Sequence, residues 1–204
     1  MKNEPLFKVV VAAGFAALVL AFASAARASD TKEITTNGSF TTSQGASGTT
    51  TSATTRSQGV VTRQGSWTNA AGRTGTWQSQ AAWDKDDKTA TISGSATRPD
   101  GAKTSWQASA TRTAPGTISE TGTITRASGR QSTFTSTDTR VAPGSWNKQE
   151  TITAADGKTL QRTAETAVVD GKGTRKVTTL RPDGDTVTRN ATFTRTVSPA
   201  QASP

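Results

Sequence analysis

Glu120 and Glu150 are the carboxylates that the strand pattern places on one face, and paired carboxylates are what general acid–base chemistry requires. The same face carries Lys148 and Arg162, so ion pairing is the simpler reading of both acids. Asp84, Asp86, Asp87, Asp100, Asp156, Asp170 and Asp183 fall in turn-like segments, where hydrogen bonds to the local backbone account for them. Asp84-Lys85-Asp86-Asp87 has oxygens for a calcium loop, but Lys85 and Lys88 oppose a cation and a plain hairpin loop is expected. With no Cys and no His in 204 residues, the chain offers neither a thiol nor an imidazole. Serine and threonine abound, yet no base accompanies them. The sequence predicts a non-enzyme with no cofactor and no metal site.

Cationic chemistry is better represented. The net charge is +9, or +7 once a leader containing Lys2, Glu4, Lys8 and Arg27 is removed. Arg73, Arg98, Arg126, Arg130, Lys158 and Arg181 gather beside one set of turns and form the candidate site for an anionic polymer such as envelope polysaccharide. Arg112, Arg140, Arg175 and Arg195 gather beside the opposite set. Arginine at strand ends also serves plain solvation. Nucleic acid is disfavoured as a partner, because no exposed aromatics interleave with these charges.

The elements that position these residues are read from a repeat. Gly45, Gly72, Gly101, Gly129, Gly157 and Gly184 recur at intervals of 27, 29, 28, 28 and 27 residues, each closing a turn-like triplet such as Pro99-Asp100-Gly101. A second punctuation lies between them, at residues 84–88, 114–116, 142–144 and 170–171. Each unit of about 28 residues is therefore a pair of strands of about ten residues with two tight turns. Treating each first-set turn as a three-residue loop fixes the register. It puts Phe40, Trp67, Trp77, Trp106, Phe134 and Phe193 opposite Gly48, Gly75, Gly65, Gly94, Gly122 and Gly173. A ring lying over a cross-strand glycine covers backbone left bare by that glycine. Three-residue loops at 114–116 and 142–144 pair Trp106 with Ile124 and Phe134 with Ile152, which keeps every ring on one face.

That face also carries Val61, Ala81, Ile92, Ile118 and Leu160, and the charges Arg63, Glu120, Lys148, Glu150, Arg162 and Arg189. The opposite face is nearly all Thr, Ser, Gln and Asn, the alternation of a sheet packed on one side and wet on the other. The expected fold is all-β: an up-and-down antiparallel meander of about twelve strands from six hairpin repeats. It should curl into a barrel or a flattened sandwich with a partly wet interior, since closure removes the edges.

Residues 9–23 form an apolar run too short for a span, followed by the small-x-small pattern Ala26-Arg27-Ala28. The expected organisation is a helical signal peptide over 1–28, one repetitive β-domain over 29–198 and a disordered tail over 199–204. The expected function is that of a non-catalytic exported structural or surface protein of the bacterial envelope, in the periplasm, at the cell surface or outside the cell. It would act through its Thr/Ser-rich sheet, with other copies of itself or envelope polysaccharide as partner. One alternative is a binding module for carbohydrate or anionic polymer. A second is a membrane-associated β-barrel, which the charges among the face residues and the lack of Tyr girdles disfavour.

Overall fold

β-Branched threonine suits the pleat, and glycine turns interrupt it every ten residues or so. In a computed structural model, which describes residues 32–199 apart from Lys85 and Asp87, these runs form twelve strands. They are β1 (Lys32–Thr42), β2 (Ser47–Ser57), β3 (Val60–Asn69), β4 (Thr74–Asp84), β5 (Thr89–Thr97) and β6 (Lys103–Ala114). Then follow β7 (Thr117–Arg126), β8 (Gln131–Ala142), β9 (Ser145–Ala154), β10 (Thr159–Val169), β11 (Lys172–Leu180) and β12 (Thr186–Pro199). The expected leader and the tail beyond Pro199 lie outside the described residues.

Each strand pairs antiparallel with its chain neighbours, and β1 pairs with β12 from Lys32↔Pro199 to Thr42↔Arg189, so the meander closes into a barrel. All six ring-over-glycine pairs are present, including Trp106↔Gly94, Phe134↔Gly122 and Phe193↔Gly173. Phe193 also faces Gly38 across the closing seam. The rings point inward. Trp67, Trp77, Ile92, Trp106, Ile124, Phe134, Ile152 and Leu160 belong to one buried cluster on the β3–β10 side.

Two kinds of turn set the two rims. At the first rim, the Arg98 amide donates to the Ala102 carbonyl across a three-residue loop, and Gly101 takes φ 80°. At the second rim, Gln58-Gly59 and Asp170-Gly171 are two-residue turns with both φ values positive, as type I′ hairpins require. The Pro115-Gly116 and Pro143-Gly144 turns depart from the expected three-residue loops. There the closing pairs are Ala114↔Thr117 and Ala142↔Ser145, and one residue bulges out before each pair. The bulge restores the parity that the shorter turn would have shifted, so Trp106↔Ile124 and Phe134↔Ile152 survive.

Twelve strands about 4.8 Å apart at common tilts enclose a cylinder of roughly 24 Å backbone diameter. Small side chains could not fill it, which is why the inward positions use Trp, Phe, Ile and Arg. The outward positions make no such demand. Thr123→Ser on β7 should change stability by no more than about 0.5 kcal/mol, as judged by urea denaturation.

Candidate functional site

Away from the apolar cluster, the lumen holds charge. Lys148 on β9 lies with its Nζ 3.4 Å from Glu120 Oε2, 3.6 Å from Asp138 Oδ2 and 3.9 Å from Glu150 Oε1. Arg162 Nη1 donates to Glu150 Oε2 at 2.7 Å, and the Ser136 hydroxyl donates to Glu120 Oε2 at 3.3 Å. Lys148 thus lies between the two glutamates, which makes them members of an ion-pair network. Burial pushes the Glu120 and Asp138 carboxyls up, against the pull of Lys148 and with the push of Glu150. Burial pulls Lys148 down, but Glu120, Glu150 and Asp138 together outweigh it and raise the ammonium above its ordinary value. The shifts agree: three acids around one lysine hold its proton while crowding one another.

Beside this network, a luminal cavity of about 180 Å³ is lined from nine strands. Its cationic walls are Arg56 of β2, Arg63 of β3, Arg175 of β11, Arg195 of β12 and Lys148; its one acid is Asp138. Burial and then the neighbouring Arg56, Arg195 and Arg175 hold Arg63 down to about 9. Arg56 is lowered by burial and by Arg195, and Arg195 by burial. These groups sense one another because the closing seam brings β11 and β12 round to β2 and β3. Arg189, stacked 3.8 Å from the Phe40 ring centroid, is likewise pushed down to about 10 by burial, Arg175 and Arg162. Threonine and serine hydroxyls, the Trp77 and Phe193 rings and the Trp146 indole complete the walls of the cavity.

The cavity lies toward the second rim. Arg56 precedes the Gln58-Gly59 turn, and the Arg195 amide donates to the Gly171 carbonyl of the Asp170-Gly171 turn at 2.6 Å. Arg56, Arg63, Arg175 and Arg195 all keep partial exposure.

The basic residues expected to act at the first rim are spread over five hairpins around that mouth. Arg98 pairs with Asp100 of its own turn, and Lys158 Nζ lies 3.8 Å from Asp156. Arg126 donates to the Ser132 hydroxyl at 3.4 Å, and burial followed by Arg130 lowers its pKa. Arg73 and Arg130 are exposed, and Arg181 is half-buried at the β11 end. Of the second-rim basics, Arg175 and Arg195 converge on the cavity, while Arg112 and Arg140 do not line it. The repeat pattern alone does not single out Arg56. The available signal was Gln58-Gly59: a two-residue turn there pairs Arg56 with Val61 and so turns it inward. At the acidic loop, the Asp84 carboxylate accepts a 2.9 Å hydrogen bond from the Asp86 amide, the local turn bonding expected of it.

The outer wall offers two shallow grooves of about 670 and 390 Å³ over the first strands, lined by residues such as Thr51, Gln64, Thr76, Gln78 and Gln80. None of the described aromatic side chains is exposed there or elsewhere.

No family model and no curated protein matches this chain. Solved structures do. The KdgM porin superimposes with a TM-score of 0.58 at 6% identity, over 79% of this chain and 98% of the porin. A structure of the KdgM porin in complex with disordered oligogalacturonate gives 0.54 at 5% identity, over 80% and 97%. At such identities the likeness is one of architecture: this chain folds as an antiparallel barrel similar to that of the KdgM porin.

Proposed function

We propose that the protein is an exported, non-catalytic β-barrel of the bacterial envelope that works through its lumen, holding anionic solutes, with its outer wall in water. The observation that carries this reading is the convergence of Arg56, Arg63, Arg175 and Arg195 on one cavity whose lining contains a single acid. The apolar run at 9–23 and the small-x-small pattern after it support export. The fold likeness adds support, since the KdgM porin is described in complex with disordered oligogalacturonate. Pairing of β1 with β12 leaves no open strand edge for a fibre, which moves the emphasis from the sheet surface to the interior.

The outer wall argues for water. Gln64, Gln78, Gln80, Gln107, Gln149 and Gln161 are exposed along the strands, as are Lys103, Glu165 and Lys176. Transferring one amide to an apolar medium without a partner costs about 2–7 kcal/mol, so six would oppose insertion strongly. A lipid-facing barrel instead shows an apolar band flanked by aromatic girdles. The likeness to the KdgM porin favours a second reading, a barrel seated in the outer membrane.

Fractionation separates the two. Osmotic shock should release the native protein in soluble form, and it should not partition with washed outer membranes. Recovery only in detergent, with conductance on addition to planar bilayers, would establish the second reading instead.

A further inference from the structure

We propose that the second-rim cavity is a binding site for a small hydroxylated carboxylic acid of the sugar-acid class, with Arg56, Arg175 and Arg195 as the carboxylate donors. This rests on the luminal reading above and gives it a ligand class. Three observations meet in the same space. The first is charge: burial lowers Arg56, Arg175 and Arg195, Arg195 adds to the effect at Arg56, and only Arg175 has acids, Asp138 and Glu150, working the other way, so a bound anion would relieve the group. The second is hydrogen bonding. The Nε–H groups of Arg56, Arg175 and Arg195 and the indole N–H of Trp146 are buried, and they donate to no acceptor among the described residues. Buried donors without acceptors are costly and uncommon in folded proteins. Four of them, from β2, β9, β11 and β12, line this one cavity. Among the described residues the one unbonded buried acceptor on this lining is Asp138 Oδ2, against these four donors, and a carboxylate supplies lone pairs for several N–H groups at once.

The third observation is the remainder of the wall. Thr36, Thr50, Ser52, Thr54 and Thr166 present hydroxyls, while Phe193 and Trp77 present rings. A bare inorganic anion would use the arginines and leave this lining idle. A compact polyol with one carboxylate uses both, its hydroxyls meeting the threonines and its C–H face lying against a ring. At about 180 Å³ the cavity suits one small molecule rather than a polymer segment.

The test uses the intact barrel and calorimetric titration at low salt with galacturonate, galactose and inorganic phosphate. Galacturonate should bind, while galactose and phosphate should each bind at least tenfold more weakly. Arg195→Gln and Arg56→Gln should each weaken galacturonate binding at least tenfold without lowering the melting temperature, because each removes a repelling charge. Arg130→Gln at the opposite rim should leave binding unchanged. Equal affinity for phosphate would overturn the sugar-acid class while leaving the anion-holding lumen intact. Loss of binding in Arg130→Gln but not in Arg195→Gln would overturn the site itself. Absence of binding by all three probes would overturn both the site and the luminal reading, whereas the fractionation result concerns only where the barrel resides.

Discussion

Lys148→Met is expected to destabilise the barrel by about 3–5 kcal/mol at neutral pH, the range found when one partner of a buried ionic group is removed. The lysine holds Glu120, Asp138 and Glu150 together, and both Glu120 and Asp138 are about 5% exposed. Without it, Arg162 remains on Glu150 and Arg175 still acts on Asp138, while Glu120 loses the one cation shown pairing with it. The pH dependence has a definite sign. The carboxyls of Glu120 and Asp138 are raised in the fold above ordinary values of 4.5 and 3.8, so the native state binds protons that the unfolded chain has released. Stability therefore rises as pH falls through the raised values toward the ordinary ones, and this gain should be larger in the variant. In the parent, the stability from Lys148, whose ammonium is raised above 10.5, is fully present below that value and lost as pH climbs past the raised one. Urea denaturation of both proteins across pH 4 to 8 would check this. A gap between them that stays constant over that range would show that the network is not an ionic one.

The second large effect is at Trp106. Trp106→Ala should lose about 3–5 kcal/mol, because the ring is buried against Gly94 and Ile124 and the wide lumen cannot collapse to fill the gap. Gly94 is the other half of this contact. A Cβ there would run into the Trp106 ring and would stand 2.7 Å from the Gln78 carbonyl oxygen. Gly94→Ala should thus be harmful in the parent and much less so in the Trp106→Ala background, with a residue of cost left by the Gln78 carbonyl. Chemical denaturation of the four proteins gives the coupling energy. Strict additivity would mean that ring and glycine do not sense each other, and the logic of the whole register would fail with it.

That register was legible because two independent signals agreed. The glycine turns set which residues face each other, and the rings then landed on glycines in hairpin after hairpin. The ion pair Arg162–Glu150 followed from the same construction. Three-residue loops make the Pro-Gly turns one residue too long, and the bulges after Arg112 and Arg140 compensate, because parity is what burial of Trp106 and Phe134 enforces. The cavity was not legible. Arg56 and Arg63 share the β2–β3 hairpin, Arg175 and Arg195 lie on the neighbouring β11 and β12, and only the pairing of β1 with β12 brings these two distant pairs together. Alternation tells which side of a ribbon a residue takes; it cannot tell which other inward residue it meets across a lumen.

The seam has a consequence for how the chain reaches this state. Phe40 and Ala191 are cross-strand partners some 150 residues apart, whereas every other hairpin joins immediate neighbours. Local hairpins form at little entropic expense, and a contact spanning nearly the whole chain forms late. Until it does, β1 and β12 present unpaired backbone to any other copy. Refolding should therefore be slow in its last phase and prone to intermolecular exchange of terminal hairpins at high protein concentration.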